Sequence, residues 1–141
     1  MIKNNTDTAI EALLTANDLT LQDLSAAFAH FSGKGIDFAD FYFQRTVSEG
    51  YVLEEGIVKS GDYSTDMGVG VRAVSGEKSA LAYSDEISKA ALLKAVDTVK
   101  VIGHGTGGQK TVDVSRKDAP SPLYHPINPI ELKEASFKIE L

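Results

Sequence analysis

The sequence predicts an α+β fold: an antiparallel sheet of about four to five strands, built from hairpins, with two N-terminal helices and one long helix after the sheet packed against it. Three observations predict it. Apolar residues recur at helical spacing up to Phe31 and again over 87–102. Between those segments, from Asp37, the period falls to two. The turns that interrupt the alternation carry glycine, and connections this short make neighbouring strands antiparallel.

The first helix is expected over Thr6 to Ala16, where Ile10, Leu13 and Leu14 share a face. The second puts Leu21, Leu24, Ala27, Phe28 and Phe31 on one face. Thr20 with Asp23 three residues on is its start signal, and Gly33 and Gly35 are its stop, because left-handed backbone carries little steric penalty only for glycine. In "DFADFYFQRTV" Phe41, Phe43 and Arg45 alternate with Asp40, Tyr42, Gln44 and Thr46. "YVLEEGIVK" predicts a hairpin turning at Glu55-Gly56, and "VRAVSGEKSALAY" another turning at Ser75-Gly76. Ser84 or Asp85 is then expected to cap a third helix, whose stripe of Ile87, Ala91, Leu92, Ala95, Val96, Val99 and Ile102 ends at Gly103.

Residues 1–105 form the expected α+β domain. The stretch 106–127 is expected to be a Gly/Pro-rich linker or loop, all four prolines of the chain falling between 120 and 129. Over 128–141 Asn128 is a good N-cap, Pro129 suits the first helical position, and Glu131 can reach back to the cap. The helix so begun, with Leu132 and Ile139 on its apolar side, has no stop signal before Leu141. A truncated helix, and hence a fragment of a longer protein, is the expectation. A frayed end is the alternative.

Composition narrows the function. With 20 acidic against 14 basic residues the net charge is -6, which repels a nucleic-acid backbone or an anionic membrane surface. The absence of cysteine removes disulfides, thiol catalysis and thiolate metal sites, and suits a reducing compartment. "MIKNNTDTAIEALL" is too polar for a signal peptide and no apolar run is long enough for a membrane span, so a cytoplasmic protein is expected.

Several stretches imitate known sites. Gly68-Val69-Gly70-Val71-Arg72-Ala73 has the spacing of a dinucleotide turn, but polar "KSGDYSTD" precedes it and a hairpin strand follows, where a buried strand and a helix are required. Gly68 and Gly70 instead leave one strand face bare, a mark of close approach by the helix stripe of 87–102, by an aromatic from 38–43, or by a bound peptide strand. "GHGTGGQKT" misses the phosphate-loop pattern, since Gln109 holds the place of its lysine after Gly103 and Gly108. His30, His104 and His125 show no ligand spacing. The acid pairs Glu54-Glu55 and Asp85-Glu86 sit at an expected hairpin tip and helix start, positions that favour acids without catalysis. No catalytic, cofactor-binding or metal-binding residue is therefore nominated.

"DFADFYFQRTVSEGYVLEEGIVKSGDYSTDMGVGVRAVSGEKSALAYSDEIS" over 37–88, followed by a helix and then "SPLYHPINPIELKE", resembles the N-terminal region of the TldD/PmbA family, once called modulators of DNA gyrase. The similarity runs from about Leu13 onward and favours the TldD branch. The resemblance implies a cytoplasmic zinc metallopeptidase that acts on unfolded peptides and works with a PmbA-type (TldE) subunit or with itself. The zinc site it implies, a His-Glu-x-x-x-His helix and a later cysteine with the glutamate as base for metal-bound water, has no counterpart in these residues. This chain is thus expected to be a non-catalytic domain that helps wall the peptide cleft and contributes subunit contacts. A stand-alone short relative that binds a peptide or partner is the alternative.

Overall fold

The computed structural model describes residues 5–103, 114–115 and 127–140. Helix α1 (Asn5–Leu13) leads through a short 3-10 turn at Thr15–Asn17 to α2 (Leu21–Ala29). The capping box is formed: the Thr20 side chain accepts from the Asp23 amide at 3.2 Å, and the Asp23 carboxylate accepts from the Thr20 amide at 3.0 Å. Gly33 and Gly35 then turn the chain with φ of 70° and 67°.

Three antiparallel strands follow in the order β1 (Phe38–Glu54), β2 (Ile57–Ser75) and β3 (Lys78–Ser84). Among the described residues the sheet thus has three strands where four to five were expected. Ser48-Glu49-Gly50 and Ser60-Gly61-Asp62 look like breaks in sequence, yet they pair across the ladder, Glu49 with Tyr63 and Gly50 with Asp62. Each supplies the other's backbone partners, so two expected short strands fuse on either side.

The first turn places Glu55 and Gly56 at φ 53° and 76°, the double positive φ of a type I′ hairpin. The second turns at Gly76-Glu77, one residue later than expected, because Ser75 still pairs with Lys78. Between Val52 and Leu53 the register shifts: Leu53 faces Val58, but Val52 faces Ser60, leaving Lys59 as the extra residue of a bulge.

One face of the sheet carries the core. Val69, Val71 and Ala73 are fully or almost fully buried beside Leu92, Ala95, Val96 and Val99 of α3 (Lys89–Val99). Phe41 stacks on Phe28 of α2 with ring centroids 3.9 Å apart. Burying an aliphatic side chain such as Leu92 contributes about 1.5–3 kcal/mol, so this layer fixes the sheet against its helices. Ser88 caps α3, accepting from the Ala91 amide at 3.1 Å, in place of the expected Ser84 or Asp85. Ser84 Oγ accepts from the Glu86 amide at 3.2 Å, which binds the two acids into the preceding loop.

Past Phe43 and Val69 the β1–β2 ribbon continues with many exposed side chains, Val52, Leu53, Ile57 and Tyr63 among them. Residues 127–140 lean on it: the Lys138 ammonium pairs with the Glu49 carboxylate and donates to the Ile130 carbonyl at 2.8 Å. Lys138, and then the Tyr51 hydroxyl at 2.7 Å, hold the Glu49 carboxyl below its ordinary range. The terminal helix α4 spans Ala135–Ile139, capped at Glu134, and so starts later than Asn128 predicted. Asn128 Oδ1 instead accepts from the Ile130 amide at 3.1 Å, closing a local turn that competes with the helix. The linker expected at 106–127 lies mostly outside the described residues. Within it Val114 packs against the core and its amide donates to Ser25 Oγ at 3.4 Å. No described helix is long and apolar enough to cross a membrane.

Candidate functional site

Alternation along a strand forces residues opposite in parity to the core onto the outer face. There the register builds rows across all three strands: Asp40, Arg72 and Leu81 in one, Tyr42, Gly70 and Tyr83 in the next. With strands about 4.8 Å apart, the two tyrosines stand roughly 10 Å from each other across Gly70. They are 65% and 84% exposed, and a Cβ added at Gly70 would meet no atom within 4 Å. The result is a trough walled by two aromatic rings and floored by bare backbone, part of a cleft of about 630 Å³.

Gly68 differs from Gly70. A Cβ there would lie 2.5 Å from the Ser84 carbonyl oxygen and 3.6 Å from the Asp85 Cα, so the chain leaving β3 crosses close over it. That crossing stops one end of the trough and brings Asp85 to it. Beyond the other row, Arg72 reaches Asp40 with Nε at 3.2 Å and Nη2 at 2.5 Å, its guanidinium 5.5 Å from the Phe38 ring centroid. Hydrogen bonding to Asp40 raises the pKa of Arg72, so the pair stays ionised and locked. The cleft also includes Asp66 and Asp85, neither of which has an ion-pair partner among the described residues.

The expectation that the helix stripe of 87–102 fills the bare face is overturned, since α3 packs on the Val69, Val71 and Ala73 side. Tyr42 borders Gly70 but leaves it open. The dinucleotide spacing lies wholly inside β2 and opens no helix, as its flanks predicted. Glu54 and Glu55 are exposed at the hairpin tip. His30 is the exposed C-cap of α2, its Nδ1 3.6 Å from the Asp97 carboxylate. His104, His125, Gly108 and Gln109 lie outside the described residues.

Sequence reasoning passed over Tyr83 and Leu81. A signal was present: a two-residue turn at 76–77 places residues whose numbers sum to 153 opposite each other, and Tyr83 is then the partner of Gly70. Among the described residues no three His, Cys, Asp or Glu side chains come together.

Residues 39–102 match the family model described as PmbA/TldA metallopeptidase domain 1. The chain is 43% identical over 131 residues to a "Metalloprotease TldD homolog" of Haemophilus influenzae, covering 92% of this chain and 27% of that protein. Proteins of the same name from Buchnera aphidicola subsp. Acyrthosiphon pisum and subsp. Schizaphis graminum are 37% and 40% identical over 93% of this chain. The chain spans about a quarter of the length of these relatives, 27% of each. A domain match that takes in all three strands and α3, joined to similarity over nine-tenths of the chain, places it: this chain belongs to the PmbA/TldD metallopeptidase family and corresponds to its N-terminal region.

Proposed function

We propose that this chain is the N-terminal, non-catalytic part of a TldD-type zinc metallopeptidase that degrades or processes unfolded peptides in the cytoplasm. The observation that carries the reading is the lopsided coverage: more than nine-tenths of this chain aligns with 27% of proteins named metalloproteases. The zinc ligands and the catalytic base belong to the other three-quarters. This chain has neither a cysteine nor a His-Glu pair, so no hydrolytic step runs through its residues.

The three-part division into 1–105, 106–127 and 128–141 goes with this reading. The domain supplies scaffolding, its sheet helping to wall a peptide cleft and its surface contributing contacts to a PmbA-type subunit or to a second copy. What supports that role is the amount of exposed sheet that none of the described helices covers, on the outer face and at the far end of the β1–β2 ribbon.

The test is direct. The purified chain is assayed for zinc by elemental mass spectrometry and for cleavage of an unstructured peptide, and neither stoichiometric zinc nor turnover is expected. Chelator-sensitive hydrolysis by this polypeptide alone would overturn the reading. Sequencing the gene past codon 141 gives a second check: continued coding with a His-Glu-x-x-x-His motif is expected, and a stop codon would favour a stand-alone binding protein.

A further inference from the structure

We propose that the trough between Tyr42 and Tyr83 is a binding slot for a lysine or arginine side chain of an extended, unfolded polypeptide. This goes beyond the scaffolding role and does not depend on where the zinc ligands lie. The slot's floor is the backbone at Gly70, where no atom of the described residues lies within 4 Å of the place a Cβ would take. Its walls are two exposed aromatic rings whose faces carry the negative lobe of the ring quadrupole. An aliphatic stem fits between them, and the rings favour a cation over a neutral or anionic tip.

The charges around the slot select the same occupant. Arg72, the basic residue among those lining the cleft, has its charge balanced by Asp40, so it gives an anion little net attraction. Asp85 stands at the stopped end, level with Gly68, about 7 Å along the strand from Gly70. That distance is about the reach of an extended lysine or arginine stem. Asp66 lies one row further along the same face of β2, and both carboxylates lack a protein partner among the described residues. A basic segment would therefore meet aromatic faces along the slot and complementary charge toward its Gly68 end. A second copy of the chain is a poorer occupant, because it brings another net charge of -6 to an acidic face.

The test is a titration of the isotopically labelled full chain, followed by amide NMR, with a Gly-Ser peptide carrying one central lysine. A matched peptide carries norleucine in its place. Saturable shifts at Gly68, Gly70 and Tyr83 are expected with the lysine peptide, weakening as salt is raised. The norleucine peptide should bind roughly tenfold more weakly or worse. Gly70→Val should fold, since its Cβ meets nothing within 4 Å, and should lose binding by filling the slot. The double variant Asp66→Asn, Asp85→Asn, which leaves the floor intact, should bind the lysine peptide about three- to tenfold more weakly. Equal binding of the norleucine peptide overturns the proposal, as does undiminished binding by either variant. Shifts at these amides that follow protein concentration without peptide would also overturn it, by showing the face covered by a second copy.

Discussion

Gly68 and Gly70 look interchangeable in the sequence, two residues apart on one strand, and the structure assigns them opposite responses to one added methyl group. Neither has a positive φ, so the backbone itself accepts alanine at both. At Gly68 the new Cβ would sit 2.5 Å from the Ser84 carbonyl oxygen. Carbon and carbonyl oxygen normally approach no closer than about 3.3 Å. The excess has to be relieved by moving β3, because the atom struck is main chain and not the end of a flexible side chain. Overpacking of this kind costs about 1–3 kcal/mol. At Gly70 the methyl group enters open space, and the reduced freedom of the unfolded chain stabilises the fold by about 0.4–1 kcal/mol. The unfolded-chain effect is common to both substitutions, so the two alanine variants should differ by the overpacking cost, about 1–3 kcal/mol, or roughly 4–15 °C in Tm for a domain near this size. Thermal and urea unfolding followed by circular dichroism would measure it, with wild type falling between them. If Gly68→Ala melts at or above Gly70→Ala, the close crossing of β3 over Gly68 is wrong, and the stopped end of the slot with it.

Leu92, fully buried between α3 and the sheet, should be the costlier kind of site: Leu92→Ala is expected to lose about 3–4 kcal/mol, read as a lower urea midpoint at unchanged slope. The Asp23 carboxyl is lowered from 3.8 to about 2, first by the hydrogen bond from Lys89 at 2.7 Å and then by the Thr20 hydroxyl and amide. Because the folded value is depressed, its contribution is complete above pH 3.8 and is lost as the pH falls toward 2. The stability gap between wild type and Asp23→Asn should accordingly be constant near neutrality and close over that acid window. A gap unchanged at pH 2 would refute the assigned pairing.

What was legible in the sequence is what short-range physics fixes. The Thr20–Asp23 box needs only four residues, and the period of 3.6 in 87–102 places Leu92, Ala95, Val96 and Val99 on the buried face whatever they pack against. The turn at Glu55-Gly56 and the parity of Phe41 and Phe43 against Tyr42 and Gln44 are equally local. Where a local rule met a competitor, it gave the wrong boundary. Ser84 and Asp85 could have capped α3, but Ser88 does, since Ile87 is buried before the helix begins. Polar Ser60-Gly61-Asp62 gained strand structure from its partners across the ladder.

The sequence by itself thus determined the helices' apolar faces, the hairpin turn at Glu55-Gly56, the alternation of each strand and, through its likeness to the TldD/PmbA family, the kinship of the chain. The tertiary structure alone decided which faces coincide. Counting back from the tight turn at 55–56 would set Phe41 opposite Gly70, with the phenylalanines on the bare side. The extra residue at Lys59 shifts the ladder by one and brings Tyr42 there instead, sending Phe41 to Phe28 and the core. A strand repeats every two residues, so a single inserted position exchanges its entire inner and outer sets, and the long-range burial of Phe41 and Val71 selects between the two registers.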